Sequence, residues 1–175
     1  MRHQVVYIIF LINLFFLSCS MTIFRDYSYQ KIQQDYNWGS FNAKMVGKDN
    51  KLENGDSLRG EFYELMIWIS LKEGLPEFFK YVVLDSVILF DEEKKAKVFE
   101  IKELQKEFIL SSNNSFDADF IFKSMPLEYH SYQLIVTFHF IAEKDLKIEQ
   151  TTLNKQFVKN YKEEKITFWD KLMGI

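Results

Sequence analysis

Three histidines, His3, His130 and His139, and one cysteine, Cys19, are the chain's whole supply of imidazole and thiol. Soft metals are held by several such ligands converging on one point, and His3 lies in the N-terminal segment, so no metal site is expected. Asp117 and Asp119 stand two apart in an alternating segment, which puts both carboxylates on one strand face. Such a pair serves calcium, or acid–base chemistry when the two environments differ. The spacing supplies no further ligand, and the pair reads as a solvated sheet face. Asp85 interrupts an apolar run, where unpaired burial would be costly, so it marks a bulge, a face open to solvent or a paired site. The chain has no phosphate-cradling glycine loop, nucleophile elbow or His-Glu zinc signature. Neither a catalytic residue nor a cofactor is expected, and both His130 and His139 read as surface or hydrogen-bonded residues.

The elements that would carry these residues belong to a chain of 175 residues with 47% apolar side chains, including 18 Phe and 9 Tyr, enough for one domain. Its 22 basic and 25 acidic side chains are interleaved along the chain, giving a formal charge of −3. A field of one sign, as nucleic acid or an acidic membrane surface requires, is not available, and nucleic acid is not an expected partner.

At the N-terminus, Arg2 and His3 precede the apolar run Val5–Leu17, after which come Ser18, Cys19 and Ser20. That run is shorter than the roughly 17 to 25 residues of a membrane-spanning helix and suits an export signal. Phe16-Leu17-Ser18-Cys19 resembles the processing box of bacterial lipoproteins, with Phe16 where leucine is usual. The resemblance implies cleavage before Cys19, which becomes the mature N-terminus and carries a diacylglyceryl thioether and commonly an amide-linked third chain. More than one acyl chain gives stable anchoring. Membrane lipid through Cys19 is thus the first expected partner, and the address is a bacterial cell envelope. The competing readings are a plain secretory signal with a leftover cysteine, or a buried N-terminal strand. The Phe, Ile, Asn and Lys-rich composition also resembles that of proteins from low-GC bacteria.

Residues 20 to 36 show no clean period and read as a tether. Strands are predicted at Trp38–Val46, with Phe41, Ala43 and Met45 on one face, then at Phe62–Leu71 with both faces apolar, and at Phe79–Phe90. Gly47–Asp56 reads as an exposed connection and Asp91–Lys95 as a solvated turn. A short strand at Val98–Ile101 is followed by a helical turn pairing Leu104 with Phe108. Phe116–Lys123 alternates, Met125–Glu128 breaks the pattern, and Tyr132–Ile141 is the cleanest period-two segment. Leu146–Val158 needs a change of register near Gln150–Thr152. In the tail from Asn160, Phe168, Trp169, Leu172 and Met173 share one helical face by their spacing. That tail either closes one end of the core or docks onto a partner or the lipid surface.

About seven strands with short turns predict an all-β fold, an antiparallel two-sheet sandwich, with an immunoglobulin-like order as one form and a lipocalin-like barrel as the alternative. The expected domains are a signal peptide over 1–18, a lipidated cysteine and tether over 19–36, and one β-sandwich over 37–175. Trp38, Trp68, Phe168 and Trp169 are the candidate interaction surface, core packing being their competing use. The expected function is that of a noncatalytic lipid-anchored envelope protein, a binding or structural module for another protein or polymer. The alternative is a carrier or sensor of a small apolar ligand held in a barrel or between the sheets.

Overall fold

Alternation decides where the core lies. Phe41, Ala43 and Met45 on one strand and Tyr63, Leu65, Ile67 and Ile69 on the next are buried between the sheets, while the residues between them point to the opposite face, where Asn42 is also buried. The computed structural model describes residues 21–72, 75, 78–111, 115–142, 150–167, 170 and 173. Their strands in chain order are β1 (Thr22–Tyr29), β2 (Ile32–Tyr36), β3 (Gly39–Lys51), β4 (Ser57–Leu71), β5 (Phe79–Asp91) and β6 (Ala96–Glu107). There follow β7 (Ile109–Leu110), β8 (Phe116–Met125), β9 (Tyr132–Ala142), β10 (Thr151–Phe157) and β11 (Lys159–Ile166).

Two sheets face each other. One is four-stranded in the order β10-β9-β5-β6, and the other is seven-stranded, running β11-β1-β4-β3-β2 with β8 on β4 and β7 on β8. Among the described residues its one parallel pairing joins β1 to the first residues of β4. In the body of the molecule the orders β3-β4-β8-β7 and β6-β5-β9-β10 are those of an immunoglobulin-type sandwich with one added strand. Tyr132, at the start of β9 and 1% exposed, donates its hydroxyl to the Glu128 carbonyl at 2.8 Å. This is the tyrosine corner of such sandwiches, and Leu134 stands where they place the second cysteine. The sheets do not close into a barrel.

The strand faces predicted for β3, β8 and β9, and the inward set of β4, are those observed. Several expectations are corrected. The tether over 19–36 is strand from Thr22 onward: β1 pairs with β11 along its whole length and β2 with β3. Most of β1 is half-buried on both sides, so no alternation shows. Much of the connection Gly47–Asp56 belongs to β3, which reaches Lys51. Leu104 lies in the edge strand β6, with Phe108 just after it, rather than in a helical turn. The tail is strand as far as Ile166, charged and exposed along β11. On β4 the outer residues Met66 and Trp68 are half-buried and Phe62 is exposed, so that face is not fully covered.

Beyond the corner, β1, β11, the end of β3 and the start of β4 form a lobe at one end of the sandwich. Gly60 lies there with φ +146, and a Cβ on it would stand 2.8 Å from the Tyr27 Cβ, so glycine is needed for both reasons.

Candidate functional site

At the corner before β9, His130 sits among carboxylates. Asp91 ends β5 and is 1% exposed; its Oδ1 accepts the amides of Glu93 and Lys94, each at 2.9 Å, in an Asx turn. Its Oδ2 lies 2.8 Å from His130 Nδ1. His130 Nε2 lies 3.0 Å from a Glu128 oxygen and 3.5 Å from one of Glu93. Burial pushes the Asp91 carboxyl up, but the Lys94 amide, His130 and the Glu93 amide outweigh it and hold the group below the usual carboxylate value. Lys94 pairs with Glu128 at 2.7 Å and Lys159 with Glu93 at 2.6 Å. The Tyr29 hydroxyl donates to the His130 carbonyl at 2.7 Å. The side chains bonded to the His130 ring are carboxylates rather than a nucleophile, and each of those carboxylates has a further donor. What the cluster does is tie the β5–β6 turn to the corner, to β1 and to β11.

His139 is 8% exposed on β9, its Nδ1 at 2.9 and 3.0 Å from the two Asp85 oxygens. Gln150 Nε2 donates to Asp85 at 2.7 Å. The register of β5 against β9 shifts between Leu84 and Ser86, so Asp85 is the extra residue of a bulge, both irregular and paired. Across β5, Glu103 on β6 takes φ 55 at the same level, where the ladder passes from Leu84↔Leu104 to Ser86↔Lys102.

Asp117 and Asp119 share the outer face of β8 beside a cleft of about 240 Å³ that also includes Lys106 and Glu107. Ser115 Oγ donates to Asp117 Oδ2 at 2.9 Å. Burial and the neighbouring Asp117 raise the Asp119 carboxyl, against Lys106, which lowers it. Among the described residues no group of His, Cys, Asp and Glu is arranged to hold a metal ion.

The proposed interaction tryptophans separate. Trp38 stacks on Tyr36 at 4.7 Å and packs edge-on against Phe138 and Phe140, so it serves the core. Trp68 lies on the outer face of the larger sheet, Lys31 Nζ 4.9 Å above its ring. Pairing puts Met66 beside Ile121, and Phe62 and Val46 border a cleft of about 360 Å³ on that face. Phe62 is 43% and Ile121 49% exposed, apolar residues on a mixed face that also carries Lys44, Glu64 and Asp119. Phe168, Trp169 and Cys19 lie outside the described residues.

No protein-family model, curated protein or solved structure matches this chain. Its reading therefore rests on its own residues. Sequence reasoning missed Asp91 as the partner of His130, although Asp followed by charged residues after a strand is an Asx-turn signal. It also missed Ile121, whose neighbours across the sheet only pairing discloses.

Proposed function

We propose that the protein is a noncatalytic, lipid-anchored module of a bacterial cell envelope that binds or braces a protein or polymer partner. The observation that carries this reading over the carrier alternative is the aromatic packing between the sheets among the described residues. Phe41, Tyr63, Phe120, Tyr132, Phe138 and Phe157 lie fully buried between the sheets, while the clefts of about 240 to 400 Å³ are open at the surface. A carrier needs its aromatic residues around a cavity, and here Phe41 packs on Phe138 while Tyr63, Tyr132 and Phe157 pack around Tyr29. The uncovered face around Trp68 is the surface a partner would meet.

The anchor is tested by intact mass and membrane fractionation of the full-length protein made in a bacterial host, beside Cys19→Ala. Loss of residues 1–18 with added acyl mass, both abolished in the variant, is the expected result. An unprocessed or unlipidated wild type would overturn the anchor. Native mass spectrometry of the purified protein separates the two functions: a stoichiometric apolar ligand would favour the carrier, and an empty domain the module.

A further inference from the structure

The outer side of β11 is an open strand edge. Among the described residues β11 ends its sheet, bonded to β1 alone, and the pairing runs over all 8 residues with no shift of register. The other strands that end a sheet are guarded against further pairing. β7 is two residues long. β6 is interrupted at Val98, where the register slips, and at Glu103, with φ 55. β2 and β10 lie against each other across the rim of the sandwich. β11 has no proline, glycine or bulge, and its side chains are exposed apart from the half-buried Asn160 and Ile166.

Two features say what fits this edge. The first is the phase of the ladder. The Gln30 amide donates to the Val158 carbonyl at 2.9 Å, beside the pair Tyr29↔Lys159, so every second pair from there exchanges both its bonds with β1. The amides and carbonyls of Lys159, Tyr161, Glu163 and Lys165 therefore point away from β1, toward the open side. The second feature is charge. Among the described residues the ion pairs of β11 are Lys159 with Glu93 and Glu163 with Arg25, so Lys162 and Glu164 stand exposed and unpaired, two apart on one face.

A strand meets a second copy of itself antiparallel, about a two-fold axis perpendicular to the sheet, with residues of like parity opposite. Centred on Glu163, that arrangement lets the outward backbone groups of Tyr161, Glu163 and Lys165 bond those of the other copy. It sets Lys162 against Glu164 in both senses, at positions where side chains approach most closely, and the Lys165 ammonium against the Tyr161 ring. The two central Glu163 are each offset by Arg25 of their own chain, 3.6 Å away. Centred on Lys162 instead, the strands would oppose Lys162 to itself and Lys159 to Lys165.

We propose that β11 is a self-association edge, pairing antiparallel with β11 of a second copy about Glu163 so that the larger sheets of two molecules become one. The proposal goes beyond the anchor reading and does not depend on acylation. One strand edge is smaller than the interface of a stable dimer, so association is weak and monomers prevail in dilute solution.

The test is sedimentation equilibrium of the full-length protein in density-matched detergent, with micelles in excess over chains, for wild type, Lys162→Glu and Glu164→Lys. Wild type should show a concentration-dependent dimer. Each variant alone opposes like charges in both senses and should weaken the dimer about tenfold. In an equal mixture of the two variants every altered charge faces one of opposite sign, so the mixed dimer should recover the wild-type affinity. That recovery also shows both variants to be folded. Wild type that stays monomeric up to about 0.2 mM would overturn the proposal. So would variants that associate as wild type does, or a mixture that associates no better than its components.

Discussion

In the sandwich body, Phe41, Leu65, Val87, Leu134 and Phe138 are shut from solvent by side chains of both sheets. In the lobe, by contrast, Thr22 to Ser28 stay half-buried, and charged groups run across the strands. Arg25 lies 3.6 Å from both Asp56 and Glu163, and Arg59 lies 2.5 Å from Asp49 and 3.7 Å from Asp26. Burial holds the first region; backbone ladder, a glycine contact and partly exposed ion pairs hold the second. Apolar burial does not depend on pH or salt in the way surface charge pairs do, so the two regions should fail under different conditions.

The sharpest blow to the body is Phe138→Ala, which removes a ring packed on Trp38, Phe41 and Phe140. It should cost about 3–5 kcal/mol, lowering the denaturation midpoint with no change of slope. Gly60→Ala strikes the lobe instead, since its φ and the approach of Tyr27 both oppose a Cβ. A loss of about 1–3 kcal/mol is expected, with faster amide exchange in β1 and β11 ahead of the body.

Asp91→Asn tests the seam between the two regions. Because the folded Asp91 pKa lies below the ordinary 3.8, its contribution is complete above that value and is lost as pH falls through the folded pKa. The variant should lose about 1–2 kcal/mol at neutral pH, and the two proteins should converge in acid titrations of stability. A constant gap down to the lowest pH measured would remove the carboxylate from the account. Smallest is Arg59→Gln, worth about 0.5 kcal/mol at low salt and less at high salt by thermal unfolding.

The same contrast explains what could be read from sequence. Strands β3, β4, β5, β8 and β9 have one face in a dry core, and burial of alternate residues writes period two into them. Strands β1 and β11 meet no such demand: β1 is half-buried on both faces and β11 is charged and exposed, so neither carries the pattern. The i,i+4 match of Leu104 and Phe108 suggested a helix, but an edge strand with one open side tolerates charge at almost every position, and chance spacing passes for periodicity. At Asp85 the cost of burying a lone carboxylate left three readings, a face open to solvent, a bulge or a partner, and the last two are present. The pairing of Asp91 with His130 spans 39 residues and was invisible until the corner closed.

Burial holds the body, and a backbone ladder with charge pairs holds the lobe, so the two regions should open separately. Native-state hydrogen exchange, followed residue by residue as denaturant rises, tests this most directly. Amides of Thr22–Tyr29 and Lys159–Ile166 should lose protection first, with β5 and β9 protected until global unfolding. Loss of protection at one free energy across both regions would contradict it.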